Sequence, residues 1–188
     1  DQFLEKERQE DAITAAPRAD KLTLLRRAYL DLTGLPPTLD ESEAFLADTA
    51  PGSWERVIDQ LLASSHYGER WGRHWLDVAR YADSDGYEQD VDRENAWRYR
   101  DYIVNAFNSD KPYDEFITEQ VAGDELDETT HESRIATGFL RAGPRVNFRE
   151  IDNPERRWDY LDDVIATLGR GVLGMTIQCA RCHDHKFD

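Results

Sequence analysis

Cysteine is nearly absent: 188 residues carry two, Cys179 and Cys182. That excludes a fold stapled by several disulfides. Methionine occurs once, at Met175. No stretch approaches the ~20 consecutive apolar residues that span a bilayer, which excludes a transmembrane helix. Alternating runs of β-branched residues are missing, so no sheet is expected. Neither a Gly-rich phosphate loop nor a Gly-x-Ser-x-Gly elbow occurs. Positive charge is scarce as well, with 23 Lys and Arg against 39 Asp and Glu and a net charge of -16. This disfavours a nucleic-acid backbone as the general partner, while a local basic patch stays compatible with the composition.

Aromatic residues are plentiful. Five Trp, eight Tyr and seven Phe argue against disorder and suffice to fill one core. The length fits one domain. The chain begins Asp-Gln-Phe and stops soon after its cysteines, which reads as a single helical module, 1–188, excised from a longer multidomain protein. Periodicity is helical almost throughout, so the expected class is all-α: one multi-helix domain with long irregular loops. Leu22, Leu25, Tyr29 and Leu32 mark one stripe, ended by Gly34 and Pro36-Pro37. Thr38 and Glu41 spell a capping box before Ala44 and Phe45. Trp54, Val57, Ile58, Leu61 and Leu62 form the next stripe. From His66 to about Ala82, the residues Tyr67, Trp71, His74, Trp75, Val78 and Tyr81 share a face predicted to be inward. Trp97 to Asn108 and a segment opened by Pro112, with Phe116, Ile117 and Val121 inward, follow. Thr129 and Glu132 suggest a second capping box. Asn153 and Pro154 read as cap and first residue of a helix buried through Trp158, Leu161, Ile165 and Leu168. Glycines 169, 171 and 174 loosen the chain before the cysteines.

The run Cys179-Ala180-Arg181-Cys182-His183 is the most informative segment. In c-type haem proteins two thiols add across the porphyrin vinyl groups and the histidine ligates iron. Residues at i, i+3 and i+4 of a helical turn lie on one side, so Cys179, Cys182 and His183 can address one plate-like ligand. A redox disulfide normally follows a strand in a βαβ setting, which is not expected here. Zinc would crowd Cys179, Cys182, His183 and His185 into seven residues, unlike the usual distant ligand pairs. The site reading is therefore haem c held by Cys179, Cys182 and His183, with zinc, calcium or a scaffold role as alternatives.

Candidates for a second axial ligand are His66, His74, His131, His185 and Met175. His74 is preferred, because a polar ring on an aromatic helix face needs a partner, although a core histidine bonded to a carboxylate or carbonyl fits equally. Propionates want cations. Arg134, Arg141, Arg145, Arg149, Arg156 and Arg157 precede the motif, and Arg170 and Arg181 flank it. Most of these fit ordinary compensated surface charge; Arg181, inside the motif, is kept as a cofactor-binding candidate. The loop Asp83-Ser84-Asp85-Gly86 fails the calcium-loop frame and reads as a solvated acidic loop.

Several segments resemble the domain of unknown function found in secreted, cytochrome-like proteins of planctomycetes and related bacteria. They are Arg26 to Thr38, His66 to Asp83, Tyr99 to Ile103, Glu119 to Asp124 and Cys179 to Asp188. They run in order along nearly the whole chain. The resemblance implies an extracytoplasmic protein, periplasmic or secreted, in which this module joins another haem-c domain upstream and a companion domain downstream. The resemblance supplies no settled activity; the Cys179, Cys182 and His183 motif carries the expectation of electron transfer with a redox partner protein or an adjacent haem domain, in preference to stand-alone catalysis.

Overall fold

The computed structural model describes residues 2–86, 90–145 and 154–184. Among these residues there are nine α-helices and no strand, and the chain is an all-α single domain as expected. The helices are α1 (Gln2–Glu10), α2 (Lys21–Leu32), α3 (Leu39–Ala47), α4 (Ser53–Leu62), α5 (Ser65–Val78), α6 (Ala96–Asn108), α7 (Tyr113–Ala122), α8 (His131–Ala136) and α9 (Pro154–Leu168). A 3-10 turn, Thr137–Arg141, continues α8. A π turn, Gly169–Leu173, continues α9, and a 3-10 turn, Gln178–Arg181, follows it. No helix among the described residues is long and apolar enough to cross a membrane.

The first helices make a small core of their own. Leu25, Ala28 and Tyr29 of α2 close on Phe45 of α3 and Leu61 of α4. Local chemistry sets the boundaries. Asp20 Oδ1 accepts from the Thr23 amide at 2.9 Å, capping α2. Gly34 takes φ +74°, the left-handed turn that the breaker sequence announced. The Thr38–Glu41 capping box forms in full. The Glu41 amide donates to Thr38 Oγ1 at 3.3 Å, and the Thr38 amide donates to Glu41 Oε2 at 2.7 Å. The Thr38 amide and hydroxyl, both donating to Glu41 Oε2, hold the Glu41 carboxyl below its ordinary range. Burial, with Glu41 beside it, pushes the Tyr29 hydroxyl up to about 12.

The larger core lies between α5, α6, α7, α8 and the 3-10 turn behind α8. Trp75 is its hub. Its ring meets Phe116 edge-on at 4.9 Å and stacks on Phe139 at 5.8 Å. Beside it Gln120 is fully buried. Its Oε1 accepts from Trp75 Nε1 at 2.7 Å and from the Tyr99 hydroxyl at 2.6 Å, while its Nε2 donates to the Phe116 carbonyl at 3.2 Å. An apolar core holding two polar-tipped aromatics needs such an acceptor.

The buried face of α5 differs from expectation. Gly68 and Gly72 are buried, Trp75 and Leu76 are half-buried, and Trp71, His74 and Val78 are exposed. The glycines explain the rotation. A Cβ at Gly68 would stand 2.3 Å from the Val104 carbonyl oxygen, so α6 approaches the α5 backbone itself. The Gly68 amide donates to Asn108 Oδ1 at 2.7 Å across this seam. Side-chain size pointed to one stripe; close helix approach selected the adjacent one.

Other helices are shifted more modestly. Leu22 is exposed at the start of α2, Trp97 at the start of α6, and Val121 near the end of α7, where Gln120 points inward instead. The second capping box is one residue later than expected, formed by Thr130 and Ser133 at 3.0 Å each way. Ser133 is buried, and its hydroxyl donates to the Gly123 carbonyl at 2.7 Å. The expected cap Asn153 lies outside the described residues. On α9 the buried positions are Ala166 and Thr167, whereas Trp158 and Ile165 are 63% and 54% exposed.

Candidate functional site

The Cys-His motif sits at the end of a short relay of tight turns. Gly169 opens the π turn, and a Cβ there would stand 2.8 Å from the Ile177 side chain. Gly174 closes it at φ +64°, and the Met175 amide donates to the Gly169 carbonyl at 2.9 Å. The chain thus doubles back, and Gln178–Arg181 forms a 3-10 turn beside α9. The Cys182 amide donates to the Cys179 carbonyl at 3.2 Å, and the His183 amide reaches the same oxygen at 3.4 Å. Side chains at i and i+3 of a 3-10 turn eclipse. Cys179 and Cys182 therefore share one edge, with His183 next along the chain. Both thiols are free, and Cys179, Cys182 and His183 are all exposed. The His183 ring contacts the Asp184 carbonyl through Nδ1 at 3.3 Å.

A cleft of about 840 Å³ separates this turn from α9. Trp158, Leu161 and Ile165 line its helix wall, and Ile177, Ala180 and Arg181 line the other. This accounts for the exposure of Trp158 and Ile165, which look into the cleft. The turn shows α9 the two residues between the cysteines, while the cysteines are absent from the cleft wall.

Arg181 is engaged with protein carboxylates. Its Nη2 meets Asp159 Oδ1 at 2.8 Å, and its Nη1 meets Asp162 Oδ2 at 3.6 Å. The Asp159 bond raises its already high pKa. The guanidinium expected to serve a cofactor instead ties the turn to α9. Gln178 adds a longer link to Asp162 at 3.5 Å.

His74 lies on α5 with its ring edge-on to Trp71 at 5.5 Å. It is exposed, so the expectation of a core histidine does not hold. The reason is the rotation of α5 described above. Val78, one turn further on, reaches the π turn, where a Cβ at Gly171 would stand 2.7 Å from Val78 Cγ1. His66 pairs with Glu69 at 2.8 Å, and His131 is exposed at the start of α8. Met175 is 40% exposed. His185 and Arg149 lie outside the described residues. Arg145 is exposed, and its amide donates to the Asp85 carbonyl at 2.8 Å.

The donor set suits a covalently attached porphyrin: two free thiols on one edge of an open turn, followed by an imidazole. Among the described residues no three His, Cys, Asp or Glu side chains are grouped to hold an ion directly.

Sequence reasoning missed three polar devices. Asp85 is not solvated; it is a largely buried partner of Arg93 at 2.6 Å. Arg93 also donates to the Ala142 and Gly143 carbonyls at 2.9 and 2.7 Å, binding the 83–93 loop to the segment behind α8. Arg80 forms an ion pair with Asp163 of α9. Gln120 is the third. No periodicity marks any of them: Asp85 and Arg93 face each other within one loop, and the Arg80, Gln120 and Arg93-to-carbonyl partners lie far away in the chain.

Fold and site together define a helical module that carries a dithiol–imidazole turn on its surface. Over residues 1–188 the chain matches the family described as PSCyt2, protein of unknown function (DUF1549), and it belongs to that family. No curated protein and no solved structure matches it.

Proposed function

We propose that this domain is a c-type haem-binding electron-transfer module of an extracytoplasmic bacterial redox protein. The observation that carries this reading is the pair of free, exposed thiols one 3-10 turn apart, followed directly by His183. Attachment there adds each S–H across one vinyl double bond, so no oxidant is consumed and both thiols must start reduced. Once bound, haem supplies one-electron exchange between the ferric and ferrous states.

The chain's own residues do the rest. Cys179 and Cys182 would hold the macrocycle covalently, and the His183 imidazole would supply a nitrogen to its iron. Arg181, locked to Asp159 and Asp162, holds the turn at a set distance from α9. His74 is the second-ligand candidate; its stripe on α5 runs into the π turn through Val78. The partner is a redox protein or an adjacent haem domain. The cleft beside the attachment turn offers an apolar strip, Trp158, Leu161 and Ile165, next to the charged Asp159, Asp162 and Arg181.

The test is export of the chain with a haem-maturation system, followed by the pyridine haemochrome spectrum of purified protein. The expected result is a covalent pigment whose shortened conjugation reports two saturated vinyl groups. It is lost in Cys179→Ala/Cys182→Ala, while helical circular dichroism is kept. Free thiols after maturation, or stoichiometric zinc without porphyrin absorbance, would sink the reading.

A further inference from the structure

A second cavity, of about 480 Å³, shares no lining residue with the α9 cleft. It opens between the start of α6, the 3-10 turn behind α8 and the loop that Arg93 ties down. Its floor is aromatic. Tyr81 and Tyr99 stack at 6.3 Å, and Ile135 lines the wall. Gly138 lets the floor lie low, since a Cβ there would stand 2.9 Å from the Tyr99 ring.

The rim is cationic in a protein of net charge -16. Arg98, Arg134 and Arg141 line it, against the single carboxylate of Glu94. Arg93 also lines it, but its charge is matched by Asp85. Arg98 stacks over the Trp97 ring at 4.7 Å and donates to Asn95 Oδ1 at 3.1 Å, so it is held without a carboxylate partner. Arg134 and Arg141 are exposed, and neither forms an ion pair among the described residues. Both line the same cavity, Arg134 from α8 and Arg141 from the end of the 3-10 turn that continues it. Guanidinia without an ion pair among the described residues, set around an aromatic floor, have the chemistry to receive an external anion.

We propose that this cavity binds a small organic anion: a flat apolar body on Tyr81 and Tyr99, with a carboxylate or sulfonate toward Arg134 and Arg141. The cavity volume lies within the range of small-molecule sites. The site is independent of whether Cys179 and Cys182 carry haem.

Titration calorimetry with naphthalene-2-sulfonate at low salt tests it, with naphthalene-2-carboxylate and the neutral 2-naphthylmethanol alongside. One site is expected, with both anions at least tenfold tighter than the alcohol. The double variant Arg134→Gln/Arg141→Gln should weaken the anions at least tenfold and leave the alcohol unchanged. The exposed pair Arg26→Gln/Arg27→Gln makes the same charge change elsewhere and should lose less than twofold. Amide NMR shifts at Gly138 and Tyr99 should move on binding. Should the double variant lose its circular dichroism, each single variant is to show at least a threefold loss in a folded protein. Equal affinity for the alcohol, an equal loss in the Arg26/Arg27 control, or shifts confined to other regions would overturn the proposal.

Discussion

Gln120 shows how much one uncharged side chain can organise. It is fully buried in an apolar core, and its single oxygen receives two donors, Trp75 Nε1 and the Tyr99 hydroxyl. A carbonyl oxygen has two lone pairs, so the site is filled. Nearby, Tyr102 donates to Glu119 Oε2 at 2.6 Å, and Lys111 reaches the same oxygen at 2.5 Å. Burial and Glu119 together push the Tyr102 hydroxyl above its ordinary range, so it remains a donor. Removing the Gln120 oxygen strands the Tyr99 hydroxyl and leaves Trp75 Nε1 only its longer bond to that hydroxyl, at 3.3 Å. Gln120→Leu preserves volume and apolar contact but should cost on the order of 3 kcal/mol. In thermal unfolding that is a fall of roughly 6–12 °C for a domain of this size. A loss below about 1 kcal/mol would mean that the donors find water or new partners.

At the scale of elements, the seam between α5 and α6 sets the packing of the larger core. Gly68 and Gly72 take the positions where side chains would ordinarily separate two helices. Gly68→Ala puts a methyl 2.3 Å from the Val104 carbonyl oxygen and 2.6 Å from the Asn108 side chain. Asn108 can swing away; the α6 backbone cannot. The expected cost is about 2–3 kcal/mol, despite the gain in helix propensity that glycine-to-alanine gives elsewhere. Denaturant unfolding of this variant beside Gly52→Ala, which sits outside the seam at φ +77°, separates seam crowding from backbone strain. A stabilised Gly68→Ala protein would refute the close-approach account. The same seam shows what is legible from sequence. The capping box at Thr38 and Glu41, the stop at Gly34 and the extents of α2, α4 and α6 are local, so spacing reveals them. Which face of α5 turns inward is not local. It depends on two residues without side chains and on a helix some thirty residues away. The α9 face was misread for a related reason: Trp158 and Ile165 are apolar because they line a cleft. That Cys179 and Cys182 stand one turn apart was legible, because that spacing is local. The commitment of Arg181 to Asp159 and Asp162 was not, since either an ion pair or an external anion fits an arginine in sequence.

At the scale of the whole molecule, the Cys-His turn is only as fixed as α9, and α9 meets the helical bundle through few polar links. Tyr160 donates to the Leu140 carbonyl at 3.1 Å. Among the described residues Arg80 also pairs with Asp163. Arg80 follows α5 in the left-handed region at φ +59°, an uncommon place for a side chain of this size. Gly143 leaves room for it, since a Cβ there would stand 2.3 Å from Arg80 Nη1. Burial lowers the pKa of Arg80, and its Nε and Nη2 are buried without a partner among the described residues. So strained and desolvated a cation is tolerable only while Asp163 holds it. Breaking the pair should therefore release α9 and its two following turns while leaving the distant α2–α4 core intact. In Arg80→Gln, native-state hydrogen exchange should accelerate at least tenfold over residues 154–184, corresponding to at least about 1.4 kcal/mol of local opening free energy. Amides of α2, α3 and α4 should keep their wild-type protection. Asp163→Asn should reproduce the pattern from the other side of the pair. Uniform loss of protection along the chain would instead make Arg80 a global core residue. Unchanged exchange in both variants would show that the apolar contacts of Ala166, Thr167 and Gly169 alone hold the site-bearing segment in place.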